Sequence, residues 1–303
     1  MSLWLDMLGA EIRYVETPSF GRIRIAEAGR QDAPALVFQH GLGGHLEAYA
    51  KNIVPLSDEF RVIAFDYAGH GLSAKRCTEY TPLVLAEQLR ELLDALGIGR
   101  AHLSGESLGG WVSGFFAANR PDRVDRLMLN TAGGVPIVSA RGRADMDNLV
   151  ALSARNIDQA PTFESVATRI RWLIHPSNHH LVTDELVRLR LAFYSDPDTR
   201  AAAPLLMKML PRHDEFLIPL ERIECETLLL WTRDNPIHDL EAASQSEKRI
   251  RRGRLYVMEA DSAHWPQYEA PDEFNKVARR FFGRGGGAAS RGGASRSGRS
   301  GQS

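Results

Sequence analysis

The segment GESLGG at residues 105–110 has the residue types and the spacing of a turn that carries a nucleophilic serine. Ser107 has a glycine two positions before it and another two positions after it, which lets a strand and a helix approach closely around a strained turn. Such a turn exposes the hydroxyl group and directs the N-terminus of the following helix at a developing negative charge. An ordinary glycine-rich turn can have the same residues, so Ser107 needs partners elsewhere in the chain.

A serine nucleophile needs a histidine base and an acid that fixes the tautomer of that histidine. His264 follows the last predicted strand, which is where the chain order serine, acid, histidine puts the base. Asp234 follows the preceding strand and is the expected acid, with Asp239 as a substitute. We therefore expect a triad of Ser107, His264 and Asp234.

The turn HGLGG at residues 40–44 follows an earlier predicted strand, where enzymes with such a serine turn have a second donor for the oxyanion. The backbone N–H groups of Leu42 and Leu108 are the expected pair. Taken alone, this glycine-rich segment is better explained as a tight turn.

Three further histidines, His175, His179 and His180, are close together in the sequence. Their spacing does not fit a helical pair of metal ligands with an adjacent glutamate. We expect them to be solvated loop residues, and we expect no metal site.

Short apolar segments that alternate with helical patterns must position these groups. A hairpin is predicted from residues 11–16 and 21–27, and further strands at 35–38, 61–65, 101–104, 126–130, 227–231 and 254–258. Helices are predicted at residues 85–96, 111–118 and 271–282. This alternation predicts an α/β fold whose mainly parallel sheet is covered by helices on both faces.

The alternation is interrupted between residues 135 and 219, where the pattern is mostly helical and Thr183 marks a helix start. We therefore expect one α/β core over residues 1–134 and 220–283, with an inserted helical cap over 135–219. Residues 284–303 contain no apolar side chain larger than alanine and are expected to be disordered.

Charge and cysteine content argue against several other classes of protein. The net charge is −1, and because the last twenty residues hold four arginines and no acid, the rest carries about −5, unlike a nucleic-acid-binding surface. Two cysteines far apart in a long chain are typical of a reduced, cytoplasmic protein. No apolar run is long enough for a membrane span, and the N-terminus has no basic start of a secretory signal. Whether the chain forms a homo-oligomer stays open.

Beyond these separate motifs, HGLGG, DYAGHGLS at residues 66–73, GESLGG and AHWPQYEAPDEFN at 263–275 resemble the α/β-hydrolases over nearly the whole chain before Gly283. Within that superfamily the chain is most similar to the meta-cleavage-product hydrolases. These enzymes split a carbon–carbon bond in vinylogous 1,5-diketones that ring-opening dioxygenases produce. The resemblance implies a fold with a helical cap and a reaction that needs no cofactor and no metal.

The resemblance also implies contacts with substrate. The segment TDEL at residues 183–186, followed by Arg190, resembles the cap helix whose arginine binds the 2-hydroxy-acid end of the substrate. Asn52 falls where the family often has an asparagine near the oxyanion loop, and Gly41 and Trp265 are expected to line the same pocket.

Three positions depart from the family pattern. The loop HGLGGH is shorter than the usual HGxGPGA type, and Glu106 stands where the family often has asparagine or alanine. An ungapped alignment from Trp231 puts Asn235, not Asp234, at the position of the acid. The acid could therefore be Asp234, Asp239 or neither.

The role of Arg190 has independent chemical support, because a planar guanidinium can hold the carboxylate of a dienoate with two parallel hydrogen bonds. The alternative is an arginine on the helix surface, paired with Glu185 or Asp184. Trp265 likewise could line the pocket or simply pack in the core.

The resulting hypothesis is a serine hydrolase that cleaves a carbon–carbon bond in a small molecule of the 2-hydroxy-6-oxo-hexa-2,4-dienoate type. A carboxylesterase or thioesterase with the same triad is the alternative. A third hypothesis is a non-catalytic receptor for a small ligand that has kept the fold.

Overall fold

The structure is a computed structural model that describes residues 2–157 and 159–283, without the side chains of residues 154–157. The segment predicted to be disordered, residues 284–303, lies outside the described residues.

The described residues form eight strands and eleven α-helices. The strands are β1 Glu11–Thr17, β2 Gly21–Ala28, β3 Ala35–Gln39, β4 Arg61–Phe65, β5 Ala101–Glu106, β6 Val124–Asn130, β7 Glu226–Trp231 and β8 Gly253–Val257. The helices are α1 Leu3–Asp6, α2 Ala50–Leu56, α3 Pro82–Ala95, α4 Leu108–Asn119, α5 Ala140–Ile157, α6 Phe163–Leu173, α7 Asp184–Ser195, α8 Pro197–Met207, α9 Leu240–Arg249, α10 Pro266–Glu269 and α11 Pro271–Phe282.

All eight strands belong to one sheet with the order β1-β2-β4-β3-β5-β6-β7-β8. β2 pairs antiparallel with β1 and with β4, whereas every other pairing is parallel. The predicted mainly parallel sheet is confirmed. β5 extends two residues beyond the predicted strand and ends at Glu106, directly before the candidate nucleophile.

Each face of the sheet packs against its own layer of helices. In β3, Val37 belongs to the buried apolar cluster that contains Leu85 and Leu89 of α3, whereas Leu36 belongs to a second cluster, which contains Phe274 of α11. All five of these side chains are fully buried, and burial of each such side chain contributes roughly 1.5–3 kcal/mol. The strands of the central sheet are apolar at successive positions because both faces are covered.

Between β6 and β7 the chain forms helices α5, α6, α7 and α8, and no strand among the described residues. We call residues 140–216 the cap segment. Helix α6 begins with a capping box of Thr162 and Ser165. Thr183 is the N-cap of α7, and its hydroxyl accepts the Leu186 N–H at 3.3 Å. The predicted helix start at Thr183 is confirmed. In the described part of the chain, no helix combines the length and the apolar character needed to span a membrane.

Candidate active site

Ser107 lies in the single-residue turn between β5 and α4. Its backbone has φ 52° and ψ −111°, a conformation that costs a residue with a side chain of order 1–3 kcal/mol. Three hydrogen bonds hold the turn: Ser107 N–H donates to the Asn130 carbonyl at 3.1 Å, and the Ser107 carbonyl accepts the N–H groups of Trp111 at 3.0 Å and Gly133 at 2.9 Å. The strain is therefore maintained by the neighbouring strand and by the first turn of α4.

The glycines of the GESLGG segment are required by close contacts. A Cβ atom on Gly105 would lie 2.1 Å from the carbonyl group of Gly109, and a Cβ atom on Gly109 would lie 2.1 Å from the carbonyl oxygen of Gln39. No side chain fits at such distances from backbone atoms. The spacing that suggested a nucleophilic serine thus has a steric cause in this fold.

Leu42 and Leu108, the expected oxyanion donors, both line the cavity onto which Ser107 opens. Leu108 is the first residue of α4, so its N–H group has no acceptor within the helix. Among the described residues, neither the Leu42 nor the Leu108 N–H group donates to a protein acceptor.

His264 lies on the loop between β8 and α10, and its backbone is fixed from two sides. Its N–H group donates to the Leu173 carbonyl of the cap segment at 2.9 Å, and its own carbonyl accepts the Thr131 hydroxyl at 3.0 Å. Glu269 accepts the N–H groups of Ala263 at 2.9 Å and Trp265 at 3.1 Å. These contacts bury the imidazole and hold it in the cavity with Ser107.

The imidazole of His264 faces an amide rather than the expected carboxylate. Asn235 Oδ1 lies 3.1 Å from His264 Nδ1. The same oxygen accepts the backbone N–H groups of Ile237 at 3.0 Å and His238 at 3.3 Å. Asn235 therefore occupies the place of the triad acid, in agreement with its position in the ungapped alignment.

The expectation that Asp234 is the triad acid is wrong. The Asp234 side chain is 63% exposed, and its carboxylate lies 3.6 Å from His175 Nε2, on the outside of the site. The substitute, Asp239, caps helix α9 by accepting the Ala242 N–H at 2.8 Å, and its other oxygen accepts the Ser139 hydroxyl. Adjacent residues in a turn point in different directions, and here the amide of Asn235 points inwards.

Glu106 provides a carboxylate on the opposite side of the imidazole. Its Oε1 atom lies 3.1 Å from His264 Nε2, and its Oε2 atom accepts the Gly41 N–H at 2.6 Å. A Cβ atom on Gly41 would lie 2.6 Å from both carboxylate oxygens, so only glycine leaves room for Glu106. The sequence shows Glu106 as a departure from the family pattern but contains no signal for this contact.

One cavity with about 620 Å³ of empty space is lined by Ser107, His264 and three of the four expected substrate residues, namely Gly41, Arg190 and Trp265. An adjoining cavity of about 1,140 Å³ shares Leu42, Gly44 and Arg169 with it. Gly41 and Trp265 line the first cavity as expected. Trp265 is also 4% exposed and contacts Tyr268, so it lines the cavity and packs in the core at once.

Arg190 lines the cavity with Ser107 and is only 3% exposed. Its guanidinium makes no hydrogen bond and no ion pair with the part of the chain that the structure describes. Asp184 pairs instead with Arg188 at 3.9 Å, and Glu185 accepts the Ser2 hydroxyl at 2.9 Å. The alternative of a surface ion pair between Arg190 and one of these acids is therefore wrong.

Three further polar residues of the cavity were not predicted: Arg169, His213 and His238. Burial lowers the pKa of Arg169, and the nearby Arg190 adds to this shift. Burial also lowers the pKa of His213, and it lowers that of His238 well below its usual value. Both histidines are thus neutral donors or acceptors. No motif marks these residues, because they come from separate elements that meet only in the folded chain.

Asn52 does not belong to the site, which corrects the expectation that it contacts substrate. It is fully buried in α2, where its Nδ2 atom donates to the Gln267 carbonyl at 3.1 Å and to Asn275 Oδ1 at 2.9 Å. These bonds connect α2 to α10 and α11. Asn52 is a structural residue and does not line the cavity.

His179 and His180 are exposed, and His175 is partly buried near Asp234. Within residues 2–157 and 159–283, no group of three histidine, cysteine or carboxylate side chains is arranged to hold a metal ion.

Comparison with known proteins places these features in a family. The sequence model of the alpha/beta hydrolase fold matches residues 34–271. The 2-hydroxy-6-oxo-6-phenylhexa-2,4-dienoate hydrolase of Comamonas testosteroni is 30% identical over 265 residues, which cover 86% of this chain and 91% of that protein. A 2-hydroxy-6-oxononadienedioate/2-hydroxy-6-oxononatrienedioate hydrolase of the same organism is 28% identical, over 87% of this chain and 92% of that protein.

A solved structure shows the same fold. The 2-hydroxy-6-oxo-6-phenylhexa-2,4-dienoate hydrolase from Rhodococcus sp. strain RHA1 superimposes with a TM-score of 0.78 and 24% identity. The superposition covers 90% of this chain and 99% of the other. The chain therefore belongs to the α/β-hydrolase fold family, within which it is similar to hydrolases of meta-cleavage products.

Proposed function

We propose that this protein is a serine hydrolase that cleaves a carbon–carbon bond in a small molecule of the 2-hydroxy-6-oxo-hexa-2,4-dienoate type. The observation that carries this proposal is the buried guanidinium of Arg190, which lacks an anionic partner in the described chain and lines the cavity of Ser107. Burial of an unpaired charge costs several kcal/mol, so its retention favours a ligand that carries an anion. The carboxylate of a dienoate is such an anion.

The geometry suggests how the substrate is held. Arg190 binds the carboxylate with two parallel hydrogen bonds, and the indole of Trp265, against which Arg190 stacks, forms an apolar wall for the conjugated chain. The curated relatives act, by their names, on carboxylated dienoates, which is consistent with this orientation. The distant carbonyl group of the substrate then points to Ser107.

The reaction proceeds through an acyl-enzyme. The dienol first becomes a ketone, which provides an electron sink. The Ser107 hydroxyl then gives its proton to His264 Nε2 while its oxygen bonds to the distant carbonyl carbon, and the Leu42 and Leu108 N–H groups stabilise the oxyanion. The carbon–carbon bond breaks, its electron pair leaves with the fragment bound to Arg190, and His264 protonates that fragment. Water then hydrolyses the acyl-serine.

Arg190→Gln tests this proposal, with Arg188→Gln as the matched control because Arg188 lies on the same helix and its side chain is 72% exposed. Loss of a charged hydrogen bond should lower kcat/KM for a carboxylated dienone about 100-fold, since such bonds contribute about 1.5–3 kcal/mol. Cleavage is followed by the loss of the dienolate absorbance. A simple aryl ester should be hydrolysed at nearly the wild-type rate by both variants.

Equal losses on the dienone and the ester would contradict the role of Arg190. Turnover of esters without cleavage of any dienone by the wild-type protein would indicate an ordinary esterase. If a fluorophosphonate failed to label Ser107 in folded protein, the serine mechanism itself would be wrong.

A further inference from the structure

We infer that Glu106 and Asn235 divide between them the work of a single triad acid: Asn235 fixes the tautomer of His264, and Glu106 supplies the negative charge that stabilises its imidazolium. This inference rests on the proposed roles of Ser107 and His264, but it does not depend on which bond the enzyme cleaves. Glu106 acts through His264 and is therefore a positioning residue.

The orientation of the Asn235 amide follows from its neighbours. The atom that faces His264 Nδ1 also lies 3.0 Å from the Ile237 N–H and 3.3 Å from the His238 N–H, and both of these groups can only donate. The atom must therefore be the carbonyl oxygen. His264 Nδ1 consequently carries a proton, so in the neutral ring Nε2 has none. The 3.1 Å contact between Nε2 and Glu106 Oε1 therefore becomes a hydrogen bond only when Nε2 takes up the proton of Ser107.

An asparagine at this position normally disables a serine hydrolase, by about 10⁴-fold when it replaces aspartate, because the wrong tautomer of histidine is selected. The two backbone donors at Asn235 Oδ1 remove that difficulty here. An amide still carries no charge, so it cannot offset the positive charge that His264 gains when it accepts a proton. A second group has to provide that charge.

Glu106 is placed to do so. Its carboxylate is 2% exposed, and Oε1 lies 3.1 Å from His264 Nε2. The Gly41 N–H holds the other oxygen at 2.6 Å, which fixes the direction of the carboxylate. In a buried site of low dielectric constant, an opposite charge in contact with the imidazolium is strongly stabilising.

The protons balance without any further reactant. Ser107 gives its hydroxyl proton to Nε2 as its oxygen bonds to the carbonyl carbon. The new N–H group then donates to Glu106 Oε1, and Glu106 takes up no proton at any step. When the tetrahedral intermediate collapses, the proton moves from Nε2 to the leaving group, and His264 is neutral again.

The other charged and titratable groups around His264 do not provide the negative charge. The ring of His238 lies 5.7 Å away, and burial lowers the pKa values of both His238 and His213. Arg190 and Arg169 line the same cavity and are cations. Glu269 bonds to the backbone N–H groups on either side of His264 rather than to its ring. In the described chain, the Glu106 carboxylate is thus the anion in contact with the imidazole.

The experiment measures the rate at which a fluorophosphonate labels Ser107 and the hydrolysis of an aryl ester, so it is independent of dienone cleavage. Glu106→Ala removes the negative charge next to His264 Nε2 and leaves that nitrogen accessible. The double variant Glu106→Ala/Asn235→Asp instead places a carboxylate next to His264 Nδ1. Asn235→Asp alone adds a second charge. Glu241→Ala, an exposed glutamate on α9, is the matched control. Circular dichroism and thermal melting check that each variant is folded.

Glu106→Ala should reduce both rates about 100-fold, within the range that general base catalysis contributes. The double variant should recover to within about tenfold of wild type, since it restores a carboxylate next to the imidazole. The acidic limb of the pH–rate profile should shift in opposite directions in the two single variants. In Glu106→Ala it should move to lower pH, because the imidazolium loses its stabilising anion. In Asn235→Asp it should move to higher pH, because the imidazolium gains a second one.

Wild-type rates and an unchanged acidic limb in Glu106→Ala would overturn the inference. A double variant as slow as Glu106→Ala would also overturn it, since the loss would then come from the shape of the site rather than from charge. If Glu106→Ala does not fold, the inference still requires the shift of the limb in Asn235→Asp, and an unshifted limb there would overturn it. Labelling without dienone cleavage would refute the proposed substrate and leave this inference intact.

Discussion

The guanidinium of Arg190 stacks on the indole ring of Trp265, with Cζ 4.5 Å from the ring centre. A contact of this kind contributes about 0.5–2 kcal/mol. Because Trp265 follows His264 directly in the chain, the same loop positions the candidate base and the candidate anchor for substrate.

Replacing Trp265 should therefore weaken binding of a carboxylated substrate. Trp265→Leu keeps apolar bulk but removes the aromatic face, and we expect KM for the dienone to rise about tenfold, in line with the loss of a buried cation–π contact. Trp265→Phe should show a smaller rise, and the ester should be little affected. Trp4→Leu is the control, since Trp4 is 65% exposed. An unchanged KM in Trp265→Leu would mean that Arg190 is positioned without this contact.

The steric role of the glycines around Ser107 can be tested by adding a single methyl group. In Gly105→Ala the new Cβ would lie 2.1 Å from backbone atoms of Gly109, and we expect a loss of about 3 kcal/mol of unfolding free energy or more, as for severe overpacking. Gly99→Ala is the matched control, because nothing lies within 4 Å of the added atom. Urea unfolding measures both, and equal stability of the two variants would contradict the close contact.

Asn52 should matter for stability and not for binding. Asn52→Ala removes two buried hydrogen bonds between α2 and the C-terminal helices, and we expect a loss of about 1–3 kcal/mol in unfolding free energy. Because Asn52 does not line the cavity, KM for substrate should stay near the wild-type value. A large rise in KM with unchanged stability would restore Asn52 as a substrate contact.

The buried His102 should make the fold sensitive to acid. Burial lowers its pKa to about 4 from the usual 6.5, so between these values the unfolded chain binds a proton that the folded chain does not. Stability is therefore lost as the pH falls through this window, by up to about 1.4 kcal/mol per pH unit. The ring of His102 lies next to those of Phe282 and Phe60, and His102→Phe, which keeps an aromatic ring there, should reduce this slope.

Urea unfolding between pH 4 and 7 measures that slope in wild type and variant. His180→Phe, at an exposed position, should retain the wild-type slope. Equal slopes in wild type and His102→Phe would show that His102 titrates normally in the folded protein.

The sequence by itself determined the elements of the core and the chemistry at their ends. Apolar periodicity is a local property, so the strands and the helices α3 and α11 could be predicted from it. The start of α7 could be predicted from another local signal, the capping residue Thr183. The residues that follow successive strands were identifiable for a related reason, since the carboxyl ends of parallel strands meet at one edge of the sheet. Ser107 and His264 lie there, in one cavity.

Only the tertiary structure decided which side chains surround the imidazole. Asp234 and Asn235 are adjacent, and no local pattern states which of them points inwards; the Asp234 side chain is 63% exposed, whereas Asn235 is 1% exposed. Glu106 reaches His264 from a distant part of the chain because β5 and the histidine loop end at the same edge of the sheet. Contacts between such distant residues depend on how whole elements pack, so the partners of His264 and the burial of Asn52 became visible only in the folded chain.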